Sequence, residues 1–538
     1  MTNSIPEFED SDCLLITGSN TTEGHPLIAT RVLRAKKKGA KIIVVDPRST
    51  QIARLADIYL AQRPGTDVAW LNGFMNVIIN EGLQNQAFID SRTENFEELK
   101  AAVADYTPER VEAITGIPAE DLARAARIYA KAERAAILYT MGITQHTTGV
   151  DNVLSCANLA MLTGQIGRPS TGVNPLRGQN NVQGACDMGG LPNVYPAYQA
   201  VTIEAVHTKF EQAWGSAGPM KVGLTVADMV NAAHHGTVKA LFIMGENPMV
   251  SDPDLHHVQA ALEQCEFLVV QDIFPTETVA LADVVLPGVS FAEKEGTFSN
   301  TERRIQKVNK AVEPLGSAWP DWKIVAELGA RMTRGREVPP TAQFAGWQYD
   351  SPAAIMQEVS ALAPSYGGVT YERLERLGSL QWPVPNADHP GTPFLHKDKF
   401  ARGTGHFTPV AFKEPAEAPD EEYPLTLTTG RSMFHYHTGS MTRRSEKLDR
   451  ELPEGYVEIS PEDAVRLGLG KSARVRVISR RGEIETKVWI TKRVPPGLVF
   501  IPFHFAEAAA NMLTNPAMDP VAKIPEYKVA AVRLEKIA

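Results

Sequence analysis

The chain carries one α/β unit twice, and that repeat limits it to folds built on parallel sheets. The first copy reads DCLLITGSNTTEGHP and then KIIVVDPRSTQIARLADIYLAQRPGTD; the second reads ALFIMGENPMVSDP and then FLVVQDIFPTETVALADVVLPG. Each opens on an apolar run that stops at a glycine, Gly18 or Gly245. A polar turn and a helical stretch lead to a second apolar run that stops at an aspartate, Asp46 or Asp272. Glycine and aspartate lie 28 residues apart in one copy and 27 in the other, and an LAD triplet follows with its aspartate, Asp57 or Asp283, 11 residues further on. Apolar runs alternating with helices predict parallel strands buried on both faces. Ligands of such sheets bind beyond the carboxyl ends of the strands. There a glycine admits a phosphate near a helix start, and an acid suits a ribose hydroxyl or a guanine edge. No GxGxxG is present, so the ordinary NAD fingerprint is absent. Two unrelated α/β units with turn-making glycines are the competing reading. If the repeat is real, it implies two nucleotide tails.

A second feature speaks to chemistry. Residues Asn174 to Gly190 read NPLRGQNNVQGACDMGG, with Arg177 among the amides Gln179, Asn180, Asn181 and Gln183. No apolar period runs through the segment. Glycines allow close backbone approach to a ligand, amides donate and accept, and a guanidinium is a planar fork that fits a carboxylate. An exposed polar loop would look the same from chemistry alone.

This run resembles the active-site segment of the molybdenum- or tungsten-dependent formate dehydrogenases, within the bis-molybdopterin guanine dinucleotide superfamily. The resemblance implies that Arg177 is the arginine holding formate over the metal, with Gly178 and Gln179 beside it, nearer the pterin. It also implies contacts to one guanine dinucleotide from Gly18, Asn20, Glu23, Asp46, Pro47, Arg48, Gly65 and Asp67, and to the other from Gly245, Glu246, Asn247 and Asp272. Met141, Gly142 and Gln145 match a strand-end loop near the pterin. Thr429, Gly430, Arg431, His435 and His437 match a pterin-dinucleotide loop of the last domain, and Asn511 and Lys528 its terminal cofactor contacts. The implied cofactor is bis-molybdopterin guanine dinucleotide carrying molybdenum or tungsten.

The length of 538 residues suits roughly three or four domains. The expected fold is α/β: a first nucleotide-binding domain over 1–179, a second over 180–410, both Rossmann-like, a Pro- and acid-rich linker over 411–424, and a β-rich domain over 425–538. Strand-type runs in YPLTLTTGR, YVEIS, SARVRVISRRGEIETKVWIT and GLVFIPFHF predict that last domain, which resembles the six-stranded double-psi barrel of these enzymes. On a strand, His435 and His437 would share one face, as metal ligands require, but no third ligand is evident nearby and no metal ligand is assigned. Cys186 is read as packing within its segment, because the family's metal-ligating cysteine or selenocysteine lies in an upstream segment.

A net charge of −9 argues against nucleic-acid binding. No apolar run reaches the ~18 residues of a membrane span, and cytoplasm is the expected compartment unless a preceding segment carries an export signal. The four cysteines form no CxxC, so no iron–sulfur framework is visible. Family members carry about 150 further residues upstream, by this resemblance, with a 4Fe-4S cluster, a lysine and the metal-ligating residue. The expectation is therefore the downstream part of such a subunit, split at a UGA codon, a frameshift or a true gene boundary. Alone it would be inactive. Its partners would be formate or CO2, the missing N-terminal portion, and electron-transfer subunits that are iron–sulfur, flavin or NAD-linked. Two other functions fit the same motifs: another bis-pterin oxidoreductase acting on nitrate or an S- or N-oxide, and a non-catalytic pterin-binding or split subunit.

Overall fold

The computed structural model describes residues 1–471 and 473–537. The chain forms two compact units. The first comprises 1–178, 248–259 and 394–538; the second comprises 179–247 and 260–393.

In the first unit the apolar runs form five parallel strands in the order Ile58–Leu60, Lys41–Val45, Cys13–Thr17, Ala135–Tyr139 and Gly172–Pro175. Alternate side chains enter opposite cores, as the pleat requires. Leu15, Ile43, Val45 and Ile137 pack with Trp70, Phe74, Leu122 and Leu159, which lie on the helices Asp67–Asn80, Ala119–Lys131 and Gly149–Leu162. Leu14, Ile16, Ile42 and Val44 pack with Ile28, Val32 and Ala35 of the helix Pro26–Lys37. Both faces are thus covered, as an all-parallel sheet needs. The helical region that follows the strand Ile58–Leu60 starts and stops where its sequence signals lie: Thr107 accepts a capping bond from the Arg110 amide, and Gly116 ends the helix Pro108–Thr115 in the left-handed region. Strand order reverses sides between Cys13–Thr17 and Ala135–Tyr139, and that switch point is where open α/β sheets hold ligands.

A closed barrel completes the unit. Its order is Leu425–Gly430, Leu498–Pro502, Tyr456–Ile459, Glu483–Ile490, Arg474–Ile478 and Ala530–Lys536. Five of these strands were expected. The sixth, AAVRLEK, is short on β-branched residues and is held by antiparallel pairing to strands 425–430 and 474–478. Residues 411–424 carry no helix or strand.

The second unit holds the second copy of the repeat as a parallel sheet ordered Val284–Pro287, Phe267–Asp272, Ala240–Met244. Here the expectation of two buried faces needs correction. Leu268 and Val270 are buried, but Phe242, Met244 and Phe267 stay 41–47% exposed. A continuous apolar run reads the same whether one face is covered or two, so the pattern does not separate the cases. Elsewhere in this unit two buried arginines, Arg303 and Arg373, donate to carbonyls of the proline-rich stretch 382–393, which is short of its own donors. No helix among the described residues is long and apolar enough to cross a membrane.

The two copies match in detail. In the first, the Asp57 carboxylate accepts from the Ile42 amide at 2.9 Å while the Asp57 amide donates to the Ile42 carbonyl. In the second, Asp283 does the same to Leu268, with its carboxylate at 2.7 Å. The LAD aspartates therefore close the start of the second strand of each copy. The Gly18 amide bonds the Val45 carbonyl, and the Gly245 amide bonds that of Gln271. Both glycines have positive φ, 54° and 62°.

Candidate active site

Gly18 directly follows one of the two strands flanking the switch point, Gly142 lies three residues past the end of the other, and their backbones touch. A Cβ on Gly18 would sit 2.6 Å from the Gly142 carbonyl carbon, and one on Gly142 would sit 2.5 Å from the Gly18 Cα. The Gly142 amide and the Thr140 hydroxyl both donate to the Gly18 carbonyl. Only glycine fits either place, which keeps the crevice mouth narrow and made of backbone. Met141, Gly142 and Gln145 lie on or beside the one-turn helix Met141–Thr144 here.

The next strand end brings charge. Asp46 is buried, accepts from the Arg48 amide at 2.9 Å, and burial pushes its carboxyl up to about 6. The Arg48 guanidinium turns away to grip Glu458 at 2.8 and 2.9 Å and lies 3.3 Å from the Phe500 ring centroid. Arg493 completes this cluster, reaching Glu458 at 3.4 Å and Glu23 at 2.8 Å. The Lys528 ammonium donates to the Thr429 carbonyl at 2.8 Å. Burial, with Arg431 and Arg48 nearby, brings its pKa down to about 7. The Thr429 hydroxyl donates to the Tyr527 carbonyl.

A third group lies beyond the strand Ile58–Leu60. Asp67 is 1% exposed and accepts from Gln62 at 2.7 Å. Burial raises its carboxyl above the usual range, partly offset by His146. His146 stands 3.8 Å from both Asp67 and Glu526 and bonds the Gly142 carbonyl at 2.9 Å. Burial alone would raise Glu526, but His146 and the Thr147 and Ala416 amides hold it below the ordinary value. Four buried polar atoms here and at Asn20 make no hydrogen bond among the described residues: Asn20 Nδ2, Gln62 Oε1, Asp67 Oδ2 and His146 Nδ1. Leaving such atoms unpaired costs about 1–3 kcal/mol each, so the arrangement is built to receive a hydrogen-bonding partner.

Arg177 follows the last strand of the sheet. The Leu176 amide bonds the Tyr139 carbonyl at 2.8 Å, extending the ladder to the residue before it. The Arg177 carbonyl accepts from His25 Nε2 at 2.7 Å, and the Gly178 carbonyl accepts from Arg431 at 2.8 Å. A Cβ on Gly178 would meet the Arg431 guanidinium at 2.7 Å. Arg431 also donates to His437 Nε2. Burial first, and Arg431 next, take the His437 pKa down to about 3, so its ring is neutral and accepts. His504 is held likewise: burial lowers it to about 3, its Nε2 accepts from the Ser432 amide, and its Nδ1 donates to the His437 carbonyl.

Asn181 and Gln183 of this run are spent on structure. In the second unit Asn181 has φ +57° and its side chain accepts from the Ser299 amide. Gln183 donates to Asp187 and to the Tyr198 hydroxyl. Asp187 is fully buried and accepts from Tyr198 at 2.8 Å and Tyr366 at 2.6 Å. What reads as a featureless polar run is a short helix, Val182–Asp187, fastened by an acid and two tyrosines. Cys186 is on that helix, partly buried. Gln179 and Asn180 remain exposed.

Other expected contacts are also engaged internally. Asn511 donates to the Val250 and Ser251 carbonyls. His435 bonds the Leu452 carbonyl at 2.7 Å. The strand ends at Gly430, and His437 has φ +48°, so the shared strand face expected for His435 and His437 does not exist. No three His, Cys, Asp or Glu among the described residues lie close enough to hold a metal ion. In the second unit Asn247 bonds Glu277 and Thr278, and Asp272 accepts from the Ile273 amide. Gly245 and Glu246 are exposed at the strand end. His25, Gln62, His146, Glu458, His504 and Glu526 were not singled out from sequence. His25 stands inside the run GSNTTEGHP of the first repeat, His146 directly follows Gln145 of the strand-end loop, and Glu458 is the one acid of the run YVEIS.

Comparison with known proteins adds to this geometry. A family model described as molybdopterin oxidoreductase matches residues 1–331, and one described as Molydopterin dinucleotide binding domain matches 425–531. The alpha subunit of F420-dependent formate dehydrogenase 1 of Methanococcus maripaludis is 54% identical over the whole chain and 78% of its own length. The corresponding subunit of Methanocaldococcus jannaschii is 52% identical, and formate dehydrogenase H of Escherichia coli is 43% identical over the whole chain and 74% of its own length. Among solved structures, acetylene hydratase from Pelobacter acetylenicus superposes with a TM-score of 0.77 at 22% identity, covering 98% of this chain and 78% of that one, a likeness of fold alone.

Proposed function

We propose that this chain, which belongs to the molybdopterin oxidoreductase family, is the formate-oxidising alpha subunit of a formate dehydrogenase. The observation that carries the reading is Arg177, presented at the carboxyl edge of the first sheet within a run, NPLRGQNNVQGACDMGG, whose flanking carbonyls are held from two sides. Near-50% identity to alpha subunits of formate dehydrogenases supports it. Arg177 pairs with the formate carboxylate through charge-assisted bonds and fixes which way the C–H points. When bound, the molybdenum– or tungsten–pterin group accepts the two electrons released as formate becomes CO2 and a proton.

The dinucleotide is of the guanine type in this reading. Asp67 and Gln62 offer unpaired acceptors and Asn20 an unpaired donor, which match the N–H donors and carbonyl of a guanine edge. Lys528 and Arg431 offer cationic groups to phosphates. Gly245, Glu246 and Asp272 serve the second dinucleotide from the second unit. Three of the relatives are F420-dependent, so a partner subunit that passes electrons to F420 is part of the proposal. The test is a formate–dye assay on the loaded enzyme, completed by the N-terminal portion that the resemblance implies, with metal and nucleotide analysis. Formate-dependent dye reduction with two guanine nucleotides per chain is expected; fully loaded enzyme that ignores formate overturns the reading.

Lys528 supplies a pH signature. Its pKa near 7 in the cofactor-free chain rises when an anion pairs with it, so binding takes up a proton above pH 7. Affinity for GDP, titrated into the cofactor-free chain, therefore falls as pH rises from 7 to 9, by up to about ten-fold per pH unit for one proton. Lys528→Met binds more weakly and loses that slope.

A further inference from the structure

Arg177 lies between the strand Gly172–Pro175 and the helix Val182–Asp187 and belongs to neither, so the aim of its side chain depends on what holds its main chain. Three successive residues are held. The Leu176 amide is tied to Tyr139, the Arg177 carbonyl to His25, and the Gly178 carbonyl to Arg431. Two of the three bonds come from side chains distant in sequence, and His25 is 152 residues away. His25 opens the helix Pro26–Lys37, yet its side chain makes no capping bond to that helix. Its ring reaches the Arg177 carbonyl instead. A carbonyl only accepts, so His25 Nε2 carries the proton. Burial, and Arg431 after it, lower the His25 pKa against the pull of the carbonyl, which keeps the ring neutral with that proton in place.

We propose that His25 is a positioning residue for formate: it holds the peptide plane that leaves Arg177, Arg431 holds the next plane on the other side of the Gly178 Cα, and the two together set the direction of the Arg177 guanidinium. This rests on Arg177 being the substrate arginine. Rotating the Arg177 carbonyl off His25 swings the peptide, and a shift of about 1 Å at a substrate group can cost as much as about 100-fold in kcat/KM. A Cβ at Gly178 would displace the Arg431 guanidinium at 2.7 Å, and with it the bond that makes the second half of the clamp.

The test compares His25→Ala with His25→Gln in the loaded holoenzyme. Glutamine keeps an N–H donor of similar reach. His25→Ala is expected to raise the KM for formate about 10-fold or more, with kcat falling less, since misaimed binding weakens capture of substrate. A general loss of folded enzyme would instead lower kcat at unchanged KM. His25→Gln is expected to restore KM to within about three-fold of wild type. Hydrogen exchange of the amides at 177–180 gives a readout apart from activity: it rises in His25→Ala and not in His25→Gln. Unchanged KM and exchange in His25→Ala, or equal loss in both variants, overturns the clamp. If Arg177→Ala itself keeps normal formate kinetics, the assignment of Arg177 fails, a different result from a dispensable His25 beside an essential Arg177.

Discussion

Arg177→Ala is expected to lower kcat/KM for formate by at least about 1000-fold, close to 4 kcal/mol at 1.4 kcal/mol per factor of ten. Formate is the smallest carboxylate, with no remote group to supply binding energy in place of the lost contact. Each charge-assisted hydrogen bond contributes about 1.5–3 kcal/mol, and two are lost together with the orientation they impose. Arg177→Lys should fall between the two, because an ammonium restores charge without the planar fork. Dye-linked formate kinetics with metal and pterin content measured on the same sample will decide. A fully loaded Arg177→Ala enzyme with near-normal kcat/KM would show that formate is held elsewhere.

Glu458→Ala is expected to destabilise the first unit by about 3–5 kcal/mol, the range for removing one partner of a buried ion pair. Glu458 is fully buried and Arg48 nearly so. Without the carboxylate, Arg48 and Arg493 face each other as like charges inside the protein. Arg48 keeps its stacking on Phe500, at 3.3 Å, but a desolvated cation over a ring contributes about 2 kcal/mol, which does not replace the lost ion pair. The pair joins the loop after the second sheet strand to a barrel strand, so both should loosen together. Chemical denaturation followed by far-UV circular dichroism reads the loss. Glu458→Gln should lose less, since it keeps an acceptor. Wild-type stability in Glu458→Ala would mean that water reaches the site and solvates both guanidiniums.

The repeat was legible because its signals are local. Gly18 and Asp46, and Gly245 and Asp272, sit within 28 residues of each other, and strand periodicity places them at strand ends before any tertiary contact is known. The LAD aspartates were legible as a repeat but not in their role, since a bond to the neighbouring strand's amide leaves no mark on sequence. His25 and Glu458 were missed because their partners lie 152 and 410 residues away. Asn181 and Gln183 carry the same chemistry whether they face a ligand or a backbone amide, and only geometry assigned them to structure. The strand Ala530–Lys536 was missed because AAVRLEK has the composition of a helix as much as of a strand, and pairing on both sides decides it.

The first unit is assembled from segments interrupted by most of the second, and this orders events in time. Arg48 leaves the ribosome 410 residues before Glu458, a wait of roughly 20–80 s at ordinary synthesis rates of about 5–20 residues per second. Through that interval the first sheet can fold on its local contacts, but Thr429, Arg431 and Lys528 have not been made, and the barrel cannot close until Ala530–Lys536 emerges. The clamp on Gly178 and the cationic seat beside Asp46 are therefore the last parts of the molecule to form. Loading of the cofactor into its finished seat follows translation, and the nascent chain spends most of its synthesis with the crevice unsealed.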